Sequence, residues 1–424
     1  LDCGVKALEK IDYANKKGID FIICDHHRPG NDLPKAVAVL DPKRSDCNYP
    51  YKDLCGCGVG FKLIQALGKQ YSETTDELMT YLDLVAIAIG ADIVSLTGEN
   101  RTLAYYGVKL INSKPRPGIQ ALIENISKET LTLTDLNFIV APRINAAGRM
   151  KHGAYAVNIL REKNIEKAKV AAESIELFNS NRQKLDQEIT QEALLQIENA
   201  KELNNESTIV YDPLWNKGVI GIVASRLIET YYRPTLVFTK SGGFLTASAR
   251  SIKGYDIYEA LQNCSQFIEQ FGGHKYAAGL TIKESNYKLF KEAFEKEVLR
   301  GLPSHLKSPE IKIDKIIKLG DITPKFYRIL KQFAPFGPDN NTPLFMTKAV
   351  VDSGFGKCVG NDNKHLKIKV KEEDSNSFNA IGFRLGNKLS LIKDKAKFDI
   401  LYSIDENHWD GRISLQLKLK DLKN

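Results

Sequence analysis

No run of the roughly 20 apolar residues that a helical membrane span requires occurs in the 424-residue chain. The most apolar window, 82–94, is too short and carries Asp83 and Asp92. No basic segment followed by an apolar one opens the sequence, so nothing argues for a secretory route. Cysteine is scarce and odd in number: seven, scattered at 3, 24, 47, 55, 57, 264 and 358. That usage suits a reducing compartment, and the expectation is cytoplasm. Internal repeats and low-complexity tracts are also missing, which excludes solenoids and disordered arrays.

What is present is ordinary globular composition, 43% hydrophobic and 26% charged, in a chain long enough for two or three domains. The net charge is +8 and sits at one end: Gly301 to Asn424 holds 22 basic and 15 acidic side chains. A basic terminal module fits a phosphate-backbone binder, and equally a Lys-rich solvated surface.

Leu1–Gly4 reads as the end of a strand entering a turn, and Leu1 is not Met, so residues upstream are expected. A short helix over 5–17 precedes an apolar run, Phe21–Cys24, suited to a buried parallel strand. Ala36–Leu40 repeats that strand signal. Helical stretches follow near 58–70, 76–91, 100–113 and 154–161, the alternation of an α/β domain with a mostly parallel sheet. From Asn164 to Leu203 neither Pro nor Gly occurs, which predicts one long helix, or two in tandem, linking two bodies. A second α/β unit has strands near 207–211, 235–239, 244–249 and 277–282, with helices near 218–232, 256–270 and 284–298. Beyond Pro303, alternating runs at 345–352, 364–371, 377–384, 397–404 and 412–419 suggest a small β-barrel, the OB-fold first among candidates.

Chemistry concentrates at Asp25-His26-His27, directly after the strand Phe21–Cys24. Three polar side chains at the carboxyl end of a buried strand, where α/β sheets bind ligands, fit poorly in a core. A surface turn is the bland alternative. Asp2 follows the strand remnant and Asp92 closes the apolar stretch Ala86–Ala91. A buried carboxylate needs a cation or a close donor. Carboxylates with imidazoles suit Mn²⁺ or Mg²⁺. Cys55-Gly56-Cys57 near Cys47 hints at zinc, but no second Cys/His pair stands at ligand spacing.

Arg143, Asn145 and Arg149, around a glycine-containing turn, read as a phosphate grip or as a loop of salt-bridged arginines. Gly218–Arg226, with Ser225 and Arg226, would open a helix whose amides face an anion, or would simply pack closely. Ser248 and Arg250, with the glycine-rich string Phe271–Gly279 containing His274, complete a candidate phosphate pocket; a glycine-rich turn is the plain alternative. In the barrel, Lys367, Lys369 and Lys371 alternate along one strand as a backbone track or a solvated face. Phe345, Phe355, Phe378, Phe383 and Tyr402 are candidates for base stacking, or for core.

Asp25-His26-His27 resembles the signature of the DHH phosphoesterases, Leu1–Gly4 their second motif and Gly90–Asp92 their fourth. Ala141–Arg149 and Phe333–Asn340 are similar to stretches of the RecJ family within them, and the Gly-Gly-His string to the DHH-associated domain. The resemblance implies a DHH domain over 1–160, a connecting helix over 161–205, a DHH-associated domain over 206–300 and an OB-fold over 306–424. It implies a metal-dependent 5′→3′ exonuclease of single-stranded DNA, a monomer that works with single-stranded-DNA-binding protein and a helicase. A DHH oligoribonuclease or nucleotide phosphatase, or a non-catalytic strand binder, are its other readings. Asp2, His26 and Asp92 would ligate Mn²⁺ or Mg²⁺, Asp25 would orient His26, and His27 would face the scissile phosphate or a metal. Arg143, Asn145, Arg149, Ser225, Arg226, Ser248, Arg250 and His274 would hold nucleotide phosphate. Two departures stand out. Asn216 replaces a usual His, and the family's first motif, an Asp-x-Asp pair, is absent, so weak or no nuclease activity is expected of these 424 residues alone.

Overall fold

A computed structural model describes residues 1–92, 94–372, 376–409 and 412–424. In chain order the helices are α1 (Leu8–Lys16), α2 (Gly56–Gln70), α3 (Thr75–Met79), α4 (Leu82–Asp92), α5 (Gly98–Ser113), α6 (Pro117–Ile123), α7 (Leu133–Asp135), α8 (Ala141–Met150), α9 (Ala154–Arg161), α10 (Ile165–Asn199), α11 (Ile220–Tyr231), α12 (Ile257–Asn263), α13 (Tyr287–Gly301) and α14 (Pro324–Lys331). The strands are β1 (Ile22–Cys24), β2 (Ala38–Leu40), β3 (Thr208–Tyr211), β4 (Thr235–Ser241), β5 (Phe244–Arg250), β6 (Gln270–His274), β7 (Ala277–Ile282), β8 (Lys315–Ile316), β9 (Phe345–Asp352), β10 (Lys357–Val359), β11 (His365–Lys371), β12 (Phe378–Gly382), β13 (Phe398–Trp409) and β14 (Arg412–Lys423). They fall into two compact units.

The first unit comprises 1–115, 128–138 and 311–424. Its α/β part holds β1 and β2 as a parallel pair, Cys24 opposite Leu40. The parallel pairing matches expectation, the burial only in part: Ile23 and Cys24 are buried, whereas Phe21 and Ile22 are exposed. Leu1–Gly4 is not a strand; Asp2 has a left-handed backbone, φ 63°, and donates its N–H to the Cys24 carbonyl. The single helix expected over 76–91 is two. Thr74 caps α3 in a reciprocal box with Glu77, and α4 starts afresh at Leu82. Asp92 ends the second of them.

In the barrel part of this unit the strands run β10-β11-β12-β14-β13-β9-β8, and β11 also pairs with β9. That extra pairing closes β9, β13, β14, β12 and β11 into a ring, as an OB-fold requires. Leu366, Ile368, Val370, Ala380, Ile400, Tyr402 and Leu417 fill its core. Phe345 and Tyr402 are buried there, so of the two readings offered for them these residues are core. Before the barrel, the Phe333–Asn340 turn binds α5 and the segment preceding it. The Arg101 guanidinium donates to the carbonyls of Gln332, Phe333 and Ala334, and Leu96 N–H to that of Pro338.

The second unit comprises 116–127 and 139–310. Its sheet runs β3-β4-β5-β7-β6, with β3 and β4 parallel and the rest antiparallel. One face packs on α12 and α13 through Phe238, Leu280, Phe290 and Phe294; the other packs on α10 and α11 through Val210, Val223, Leu227 and Val237. The breaker-free segment is one helix of 35 residues. It is no bare link, because α6, α8, α9 and α11 all pack along it. Ala141–Arg149, read as a turn, is helix α8, since Pro142 suits a first helical turn and Gly148 sits near the end. The helix expected over 256–270 stops at Asn263, and the Gly-Gly-His string is strand β6 paired with β7, not a loop. Gly273 explains the misreading. At φ 148° it has a backbone other residues avoid, and a Cβ there would meet the Ala277 carbonyl at 2.4 Å.

No helix among the described residues is long and apolar enough to cross a membrane.

Candidate functional site

The parallel pair places two acids side by side, because Asp25 follows β1, Asp41 follows β2, and the Asp25 N–H donates to the Leu40 carbonyl at 2.9 Å. Asp25 is buried and saturated. Its carboxylate accepts from the N–H groups of Val5 (3.0 Å), His26 (2.8 Å) and His27 (3.3 Å), and contacts His27 Nδ1 at 2.7 Å. Burial alone would raise its pKa, but these bonds from Val5, His27 and His26 outweigh it and hold the carboxyl below its usual value. Asp25 thus orients the ring of His27, not of His26 as expected, because strand geometry turns only the His26 amide toward it.

The His26 ring is buried and faces two other acids, with Nε2 at 3.1 Å from Asp2 and 3.3 Å from Asp92. Neither contact has hydrogen-bond geometry, so both ring nitrogens are buried without a partner. Burial would lower the His26 pKa; contact with Asp2 and the charges of Asp92 and Asp2 raise it instead. The Asp92 pKa is raised by burial first and by Asp2 next. Two carboxylates around an orphaned imidazole are the mark of a cation site. Asp2, His26 and His27 each offer a ligand atom, all within 4.8 Å of one another. Oxygen and imidazole donors fit Mn²⁺ or Mg²⁺, and none of the cysteines belongs to this group. Cys55 serves the fold instead, since its thiol caps α2 by accepting from Gly58 N–H. Gly56 then leaves room for Asp2, because a Cβ on it would lie 2.2 Å from the Asp2 carboxylate.

Asp41 escaped the sequence reading. The signal was available, an acid after the apolar run Ala36–Leu40 just as Asp25 follows Phe21–Cys24. Asp41 is buried; one oxygen accepts from Lys43 N–H at 2.8 Å and the other has no partner. Burial, then Asp25's charge, raises its pKa.

The second unit gathers a different constellation. Arg250 donates to Ser248 Oγ at 3.1 Å, and Gly221 at the start of α11 lies against both. Arg149 reaches the Gly218 carbonyl at 3.1 Å, and Asn216 accepts from Gly218 N–H at 2.8 Å, a use for the residue that departs from the family pattern. Burial lowers the pKa of Arg149, and burial with the nearby Arg149 charge lowers that of Arg250. Two guanidiniums that repel one another, neither paired with a carboxylate among the described residues, suit an anion. Ser248 and Arg250 share a face of β5, and the register puts Arg250, Ala277 and His274 on one rung across β5, β7 and β6.

Other candidates are engaged elsewhere. Arg226 forms a bidentate pair with buried Asp186, both contacts 2.6 Å, and Arg143 pairs with Glu176 at 2.6 Å and with the Ile139 carbonyl. Ser225 bonds the Gly221 carbonyl one helical turn back, and Asn145 lies exposed on α8.

On the barrel, Leu366, Ile368 and Val370 point inward, so Lys367, Lys369 and Lys371 share the outer face of β11. Lys369 lies over the ring of Phe355 and Lys418 over that of Phe383, at 5.4 and 5.9 Å from the ring centres. Both rings are more than half exposed. Phe378 is half-buried against the core.

Comparison with known proteins agrees with this layout. Family models match in order: the DHH family N-terminal domain over residues 1–89, the DHHA1 domain over 205–299 and the RecJ OB domain over 313–421. The chain is 33% identical to the single-stranded-DNA-specific exonuclease RecJ of Bacillus subtilis, covering 99% of this chain but 53% of that protein. To the RecJ of Escherichia coli it is 32% identical, covering 100% of this chain and 76% of that one. The chain thus spans about half the length of the first relative and about three quarters of the second. Among solved structures, RecJ of Thermus thermophilus in complex with Mn²⁺ superposes with a TM-score of 0.86 at 26% identity, covering 100% of this chain and 61% of that one.

Proposed function

The chain belongs to the RecJ family, and from that membership we propose that it is a metal-dependent exonuclease of single-stranded DNA, working from the 5′ end in DNA repair and recombination. The observation that carries the reading is the orphaned His26 between Asp2 and Asp92, with His27 beside it. Asp2, His26, His27 and Asp92 would hold Mn²⁺ or Mg²⁺, the ions named for the Thermus relatives. When bound, such a cation supplies Lewis-acid polarisation of a phosphoryl oxygen. Asp25 fixes the His27 ring, and the cluster's carboxylates keep the phosphodiester's approach dependent on the ion.

Arg149, Ser248, Arg250 and His274 would hold a terminal phosphate, a pocket that admits an end and rejects continuous strand. The exposed rings of Phe355 and Phe383, flanked by Lys369 and Lys418, would stack and track bases. They favour a long strand over the small substrates of oligoribonucleases and nucleotide phosphatases. A monomer acting in the cytoplasm alongside single-stranded-DNA-binding protein and a helicase completes the reading.

The test is Mn²⁺-dependent release of mononucleotides from a 5′-phosphorylated single strand, compared with a duplex and a dinucleotide. His26→Ala serves as the blank. Weak release, from the single strand in preference to the duplex, is expected; preference for the dinucleotide would favour the small-substrate reading, and strand binding with no release would favour a non-catalytic binder. Arg250→Ala should weaken the preference for 5′-phosphorylated ends, and an unchanged preference would sink the phosphate pocket.

A further inference from the structure

Among the buried atoms of the first unit that lack partners are Nδ1 of His26 and the second carboxylate oxygen of Asp41. They belong to neighbours. Cys24 and Leu40 are register partners, so the residues that follow them emerge from the same edge of the β1–β2 pair. Asp41 therefore begins one strand away from the Asp25–His26 segment, whose Asp25 N–H donates to the Leu40 carbonyl at 2.9 Å. Asp25, the nearer acid in sequence, is not available to the His26 ring, since its oxygens serve Val5, the two His amides and His27. The other charged groups facing Asp41 are Asp25 and Lys43, and Lys43 contributes its backbone N–H to the first oxygen. Leaving a donor and an acceptor both buried and unmatched is unfavourable for each group, so a connection between them removes two penalties together.

We propose that Asp41 is a positioning residue for the metal centre: through one buried water it accepts the proton of His26 Nδ1, and so presents Nε2 as the bare ligand nitrogen. A histidine that ligates a metal is commonly held this way by a carboxylate behind it. The inference rests on the reading of Asp2, His26 and His27 as a cation site, and adds to it the residue that sets the tautomer.

The experiment uses the whole chain with ¹⁵N-labelled histidine. Imidazole nitrogen shifts of His26, assigned by loss of its signals in His26→Gln, are recorded with and without Mg²⁺. Nδ1 carrying the proton in both states is expected, and a bare Nδ1 would overturn the proposal without recourse to any variant at position 41. Asp41→Asn and Asp41→Ala should shift the Nδ1 signal and weaken Mn²⁺ binding, measured by calorimetry, by about 10-fold to 100-fold. Affinities within twofold of the unchanged protein, in folded variants, would overturn it as well. Failure of the unchanged protein to bind Mn²⁺ would instead refute the cation site, while the tautomer still decides the Asp41–His26 pairing.

Discussion

Asp2 sits against the N-terminal turn of α2 with no space to spare, which makes Gly56 as consequential as any ligand. Gly56→Ala would place a methyl group 2.2 Å from the Asp2 carboxylate. The three atoms nearest to that methyl group all belong to the Asp2 side chain, so the helix should survive and the carboxylate should move. The expected outcome is a loss of Mn²⁺ affinity on the order of 10-fold or more, as for other disturbed metal shells, with a melting temperature close to that of the unchanged protein. Calorimetry and thermal unfolding on the same samples check it. The triplet that announced the site was legible because three metal-competent side chains followed an apolar run. Their division of labour was not. Which ring Asp25 holds depends on how the chain turns after β1, and local sequence does not encode that turn.

Elements decide whether a charged side chain is free to bind or already spent. Arg226 was a candidate phosphate ligand by its place in a motif, yet it clamps buried Asp186 of α10, which Arg182 also approaches at 3.8 Å. Asp186→Ala strands charge at the contact of α10 with α11. It should cost about 3 kcal/mol, the low end for breaking a buried pair because Arg226 is partly exposed. Chemical denaturation checks this; a change under about 1 kcal/mol, within the range of surface pairs, would show the pair to be dispensable.

A second device steadies α4, whose last residue is Asp92. Leu133 of α7 packs against Gly90, and Asp135 closes the capping box of α7 with Thr132 while pairing with Lys128. Burial would raise the Asp135 pKa, but bonds from Lys128 and Thr132 lower it. A carboxyl with a lowered folded-state pKa stabilises the protein above its unfolded value, and that contribution disappears as pH falls through the folded value. Asp135→Asn should therefore cost about 1 kcal/mol near neutrality, with the gap to the unchanged protein closing as pH drops below about 4. Denaturation curves at both pH values read the difference.

At the scale of the molecule, the chain passes between two units more than once, since 128–138 returns to the first unit before 139–310 builds the second. Within the first unit the barrel segment is tied to the α/β part by Arg101 and Leu96. Arg101→Ala leaves three carbonyl oxygens without that donor. It should expose the 332–340 turn to limited proteolysis at low protease, with the barrel itself intact by its near-ultraviolet spectrum. An unchanged cleavage pattern would mean that the Leu96 contact suffices.

By itself the sequence determined the order of elements, the acid-His-His cluster at a strand end, and the barrel with its basic outer face. Each depends on short-range regularities, the period of apolar residues, the placement of breakers and residue types adjacent in the chain. Tertiary structure alone decided the partners. Long-range packing brought Asp2 and Asp92 to His26 and Asp41 beside Asp25, sent Arg226 into an ion pair while keeping Arg149 and Arg250 clear of carboxylates among the described residues, and turned a glycine-rich string into a strand. A carboxylate's role is set by what lies within a few ångströms of it, and in this chain those neighbours are mostly distant in sequence.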